Sequence, residues 1–148
     1  AHSMGNRVLL RTLHELGSVI KENEKPFGHI VLAAPDVGLD KFVAWIPNAI
    51  TFADSVNLYF CSEDKALTLS QTLHMDRRAG QAPIFLKGLE NIDAERANTS
   101  FLGHDYFVSR SELLIDLELM LINNVPPANR STIRQVKTED GFYYWRFP

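Results

Sequence analysis

A single cysteine, Cys61, in 148 residues leaves no partner for an intramolecular disulfide and no set for a multi-cysteine metal cluster. Basic residues do not dominate: 15 Lys and Arg face 18 Asp and Glu, a net charge of −3. That balance carries no electrostatic footprint for nucleic acid or an anionic membrane. Arg77, Arg78, Arg130 and Arg134 are scattered, with no basic stripe among aromatics. No apolar run approaches the roughly 18–20 residues of a membrane span. The histidines and carboxylates show no H-x-x-x-H or similar spacing, so no metal site is expected. Repeats and low-complexity tracts are also missing, and no signal peptide is visible in these residues. What remains is ordinary globular composition, 45% apolar and 22% charged, in a length that suits one domain over residues 1–148.

The pattern alternates helix with strand. Leu9, Leu13, Leu16 and Ile20 lie at steps of four, three and four, which predicts a helix from Ser3 to about Asn23. Pro26 and Gly28 end it. Residues 29–34 form a short apolar run between Gly28 and Pro35, the mark of a strand covered on both faces. Leu39, Phe42, Val43 and Ile46 predict a second helix that Pro47 interrupts. Residues 55–61 are rich in β-formers and predict a second strand. Asp64 is placed to cap the helix that follows, and Leu89–Asp93 reads as a short third strand. Ser109 and Glu112 form a capping box before Leu113, Leu114, Leu117, Met120 and Leu121. The aromatic tail, Phe142 to Phe147, reads as a late strand or a packed extension. The whole is an α/β layered architecture with a short parallel sheet of about three strands.

The first five residues, Ala-His-Ser-Met-Gly, fit the pattern small-x-Ser-x-Gly at the head of an amphipathic helix. In such a bend a strand turns abruptly into a helix, with the serine at a strained apex. The positions two before and two after it are crowded, so Ala1 and Gly5 suit them. The hydroxyl of Ser3 then lies by a helix N-terminus, where developing negative charge is favoured. The Met4 N–H would be one oxyanion-hole donor. A serine nucleophile needs a base, and the base an orienting acid. In this chain order the acid precedes the histidine. His104, between Gly103 and an aromatic pair in a loop before the capped helix, suits the base. His2, His14, His29 and His74 suit it less. Two carboxylates follow strands: Asp64 after the second and Asp36 after the first. Both are expected at the carboxyl ends of parallel strands, where open α/β sheets build their sites.

Five stretches resemble, in order, a bacterial α/β-hydrolase family of unknown function with a serine elbow: residues 1–7, 32–37, 62–67, 78–80 and 103–107. The resemblance implies a partial three-layer α/β-hydrolase fold and acyl-ester hydrolysis by a Ser-His-Asp triad. It assigns Ser3 as nucleophile, His104 as base and Asp64 as acid, with Asp36 the alternative. The implied partner is a small ester or acyl substrate, with no cofactor. A bacterial cytoplasm is the default compartment.

In such a fold several strands and a second oxyanion-hole loop precede the serine. The chain therefore reads as the C-terminal part of a hydrolase domain, beginning at the elbow. Fraying of Ala1–Met4 is expected. The strand at 29–34 is expected to expose an unpaired edge and to drive homo-oligomerisation. The rival expectation is a non-catalytic α/β module that self-associates through that edge.

Overall fold

The computed structural model describes residues 1–20, 24–95 and 111–148. Three parallel strands form the centre: β1 (Phe27–Ala33), β2 (Ala53–Phe60) and β3 (Leu89–Asp93). Ile30 faces Val56, and Val56 faces Leu89, across the ladder. Alternation along the strands splits the apolar side chains between two cores. Ile30, Leu32, Val56, Leu58 and Phe60 pack with Leu10 and Leu13 of α1 (Gly5–Glu15) and with Phe42 and Ile46 of α2 (Leu39–Phe52). Tyr59, Cys61 and Ile92 pack on the other face with Leu67 of α3 (Lys65–His74) and Leu113 of α4 (Ser111–Leu121). The result is a three-layer α/β fold.

The sheet has five strands, not three, and is mixed. A hairpin of β4 (Arg134–Lys137) and β5 (Tyr143–Arg146) extends it, in the order β1-β2-β3-β5-β4. β5 runs parallel to β3 and β4 antiparallel to β5. The aromatic tail is thus a strand. Its partner was not foreseen, because Val136 is the only apolar residue in β4.

Two helices differ from their expected form. α1 ends at Glu15, followed by a 3₁₀ turn over Leu16–Ser18. Its buried face is Asn6, Leu10 and Leu13, while Leu16 is exposed. α2 runs unbroken through Pro47 to Phe52. Proline removes the N–H that would bond the carbonyl of Val43. Val43 and Pro47 lie on the exposed face, so water can serve that carbonyl. Leu67 N–H bonds the Asp64 carboxylate at 3.0 Å, as the expected cap.

A buried polar network ties the tail to the core. Asp116 of α4 accepts from the Tyr59 hydroxyl at 2.5 Å, from Thr132, and from the guanidinium of Arg130 at 3.2 Å. The same guanidinium donates to Asn57 Oδ1 at 3.0 Å and to the Val125 carbonyl at 3.0 Å. Arg130 is therefore an internal strut. Among the described residues no helix is long and apolar enough to cross a membrane.

Candidate functional site

The site begins where the opening residues, paired beside β1, turn into α1. The Ala33 N–H donates to the Ala1 carbonyl at 2.9 Å, and the Ser3 N–H donates to the Ala33 carbonyl at 3.0 Å. His2 pairs in parallel with Ala33. The opening residues are therefore held against the carboxyl end of β1 rather than frayed. Ser3 then takes φ +52°, in the left-handed region that non-glycine residues rarely occupy. Such a conformation costs about 1–3 kcal/mol and persists only where neighbours enforce it.

The enforcement is visible. The Ser3 carbonyl accepts from the Asn6 N–H at 3.1 Å, from Asn6 Nδ2 at 2.9 Å and from the Asp36 N–H at 3.3 Å. Asn6 Nδ2 also donates to the Ala33 carbonyl at 2.9 Å. One buried amide thus clamps the bend to the strand. Its Oδ1 is buried with no partner, yet exchanging the amide's two ends would set an oxygen against two carbonyls. Met4 opens α1, and among the described residues no backbone carbonyl takes its N–H. The expected crowding of positions 1 and 5 is not observed: a Cβ on Gly5 would meet nothing within 4 Å.

The loop after β1 is built with equal constraint. Ala34 also has positive φ, +42°, while its N–H donates to the Tyr59 carbonyl at 2.9 Å. Gly80 presses on it so closely that a Cβ there would fall 2.7 Å from the Ala34 carbonyl carbon. Gly80 N–H donates to the Pro35 carbonyl, and Gly80's own carbonyl accepts from Cys61 N–H. Segment 77–80 therefore stitches the ends of β1 and β2 together. This backbone role has no side-chain signature.

The two carboxylates differ in their surroundings. Asp64 lies just beyond β2, buried, and caps α3. Asp36 lies beyond β1 and is closer along the backbone to Ser3, but its Oδ1 accepts both Arg78 Nε–H at 2.6 Å and the Ser70 hydroxyl at 2.7 Å. His104 lies outside the described residues.

Three of the other histidines lie on described elements away from Ser3. His29 is the third residue of β1, four residues before Ala33, or about 13 Å away along the strand. There it bonds Ser55 and Asn124. His14 lies beside Trp45 of α2, the two rings 6.4 Å apart and tilted by 35°. His74 ends α3 and bonds the Ser70 carbonyl through Nδ1.

A cavity of about 150 Å³ opens beside Asp36, lined also by Arg7, Lys41, His74 and Arg78. The sequence held no sign of this convergence, because its basic residues come from three separate elements. Among the described residues no group of three or more His, Cys, Asp or Glu is placed to hold a metal ion.

A family model described as alpha/beta hydrolase of unknown function matches residues 1–123. Neither a curated protein nor a solved structure gives a significant match.

Proposed function

The chain belongs to an α/β-hydrolase family of unknown function, and on that premise we propose that it is a serine hydrolase of ester or similar acyl bonds. The observation that carries this reading is the left-handed Ser3, clamped between β1 and the first turn of α1. A strained, over-determined backbone of this kind clusters at active sites, and the carboxyl ends of parallel strands are where open α/β sheets build them.

In this reading Ser3 Oγ attacks the acyl carbon while His104 takes the hydroxyl proton. The Met4 N–H donates to the oxyanion that forms. Collapse of the tetrahedral intermediate expels the alcohol, which leaves with the proton from His104. Water, activated by the same imidazole, then releases the acid and restores Ser3. Asp64 orients the imidazole and offsets its positive charge. Asp36 is the weaker choice for this role, because the Arg78 guanidinium at 2.6 Å already compensates its charge.

Labelling with a fluorophosphonate probe tests the nucleophile. The expected result is one label per chain, abolished by Ser3→Ala, with parallel loss of p-nitrophenyl ester hydrolysis. Labelling that survives Ser3→Ala would overturn the assignment.

The alternative is a non-catalytic module that self-associates through β1. Its support is that Ala1 and Ser3 bond β1 only at its carboxyl end. Sedimentation would then show a concentration-dependent dimer in a protein that takes no label.

A further inference from the structure

We infer that the cavity beside Asp36 is an oxyanion subsite, which holds a carboxylate or phosphate group carried by the acyl substrate; this rests on the hydrolase reading above. Three cations converge there from different elements: Arg7 of α1, Lys41 of α2 and Arg78 of the loop after α3. Arg78 is buried, bonded to Asp36 and 3.9 Å from Asp76. Among the described residues, Arg7 and Lys41 have no carboxylate partner. Two unneutralised cations thus face the same small space as a buried third. Arg7 and Lys41 are exposed and leave their charges available to an oxyanion that enters from solvent, to which a guanidinium can make paired charge-assisted hydrogen bonds.

The cavity's shape fits a small charged group. Its volume corresponds to about five waters, at ~30 Å³ each. Gly38 keeps it open: a Cβ there would fall 1.9 Å from Asp76 Oδ2, so any side chain would push that carboxylate aside. Arg7, Lys41 and Arg78 set three cations against Asp36 and Asp76 in the lining, an excess of one positive charge among these five groups.

The cavity's place gives the oxyanion a function. Arg7 sits about one turn along α1 from Ser3. Asp36, on the cavity wall, donates its N–H to the Ser3 carbonyl. A group bound between Arg7 and Lys41 therefore lies beside the bend that would attack the acyl carbon. The substrate class is an ester with an anionic substituent, and neutral esters would lack this anchor.

Isothermal titration with inorganic phosphate, against chloride at equal ionic strength, tests the subsite without relying on turnover. One saturable site is expected. The Arg7→Gln/Lys41→Gln double variant should bind at least tenfold more weakly. Arg11→Gln, which removes an exposed α1 cation paired with Glu15, should bind as the unaltered protein does. Absence of saturable binding, or equal binding by the double variant, overturns the subsite.

A second measurement compares p-nitrophenyl hemisuccinate with p-nitrophenyl butyrate. The charged ester should have at least tenfold higher kcat/KM, and phosphate should compete with it. Phosphate binding without such competition would mark a free-anion site and overturn the substrate assignment. Phosphate binding in a protein that neither labels nor hydrolyses either ester would sink the hydrolase reading, and with it the substrate role.

Discussion

Arg78 donates its Nε–H to Asp36 at 2.6 Å, joining the loop after β1 to the loop after α3 across 42 residues. Both side chains are largely buried. Asp64, beyond the neighbouring strand, instead caps a helix. The two aspartates that equally satisfied the pattern in the sequence are thus expected to respond differently to the same substitution. Asparagine caps helices about as well as aspartate, so Asp64→Asn should keep the cap on α3. Its kcat should fall by about 10³–10⁴-fold, as when an orienting acid loses its charge. Asp36→Asn should instead cost about 3 kcal/mol of stability, by leaving Arg78 without its main counter-charge. Urea denaturation and ester turnover on both variants separate these outcomes.

Backbone geometry at Ser3 makes a second prediction, independent of catalysis. Glycine accepts φ +52° without strain, so Ser3→Gly should be at least as stable as the unaltered protein. A β-branched residue is penalised there, and Ser3→Val should lose about 1–2 kcal/mol. Equal stability of the glycine and valine variants would show that the bend relaxes in solution. Chemical denaturation curves suffice for this comparison.

The network around Asp116 should dominate the stability of the C-terminal region. Asp116→Asn leaves the Arg130 guanidinium buried without its carboxylate, at a cost of about 3–5 kcal/mol. Replacing both, as Asp116→Leu with Arg130→Met, should recover part of that loss, because neither charge then stays buried alone. Thermal unfolding of the single and double variants measures the difference.

Alkaline pH offers a separate probe of the same cluster. Burial, reinforced by the adjacent Asp116 charge, holds the Tyr59 phenol well above its ordinary pKa of 10.0. The unfolded chain therefore releases this proton first. Stability contributed by Tyr59 is full below about pH 10 and declines as pH rises through the unfolded value toward the higher folded one. In Tyr59→Phe that share of the alkaline decline should vanish. Tyrosinate absorbance should show that Tyr59 stays protonated until the fold opens, as a late step missing from Tyr59→Phe.

The central layers were legible because their signals are local. Residues 29–34 and 55–61 are apolar runs flanked by breakers, and Asp64 sits one residue before its helix. The hairpin was half legible: Tyr143–Arg146 has β-forming aromatics, but Arg134–Lys137 reads as solvent-exposed polar chain. Pro47 misled because its effect depends on which helix face it occupies, and that is settled by packing. Arg78 and Arg130 looked like scattered surface charge. Their burial depends on carboxylates 42 and 14 residues away, a relationship that no local window contains. The bend at Ser3 was foreseen, whereas the Asn6 clamp that sustains it was not. An asparagine on the buried face of a helix was the available clue.

β5 meets β3 through two register pairs alone, Ile92 with Trp145 and Asp93 with Arg146. Trp145 Nε1–H to Glu90 and Arg146 to Asp93 supplement that short seam. So narrow an attachment makes the hairpin a separate opening unit, able to unzip while the parallel centre stays folded. Amide protons of Tyr143–Arg146 would then exchange ahead of those in β2, which is paired along both sides.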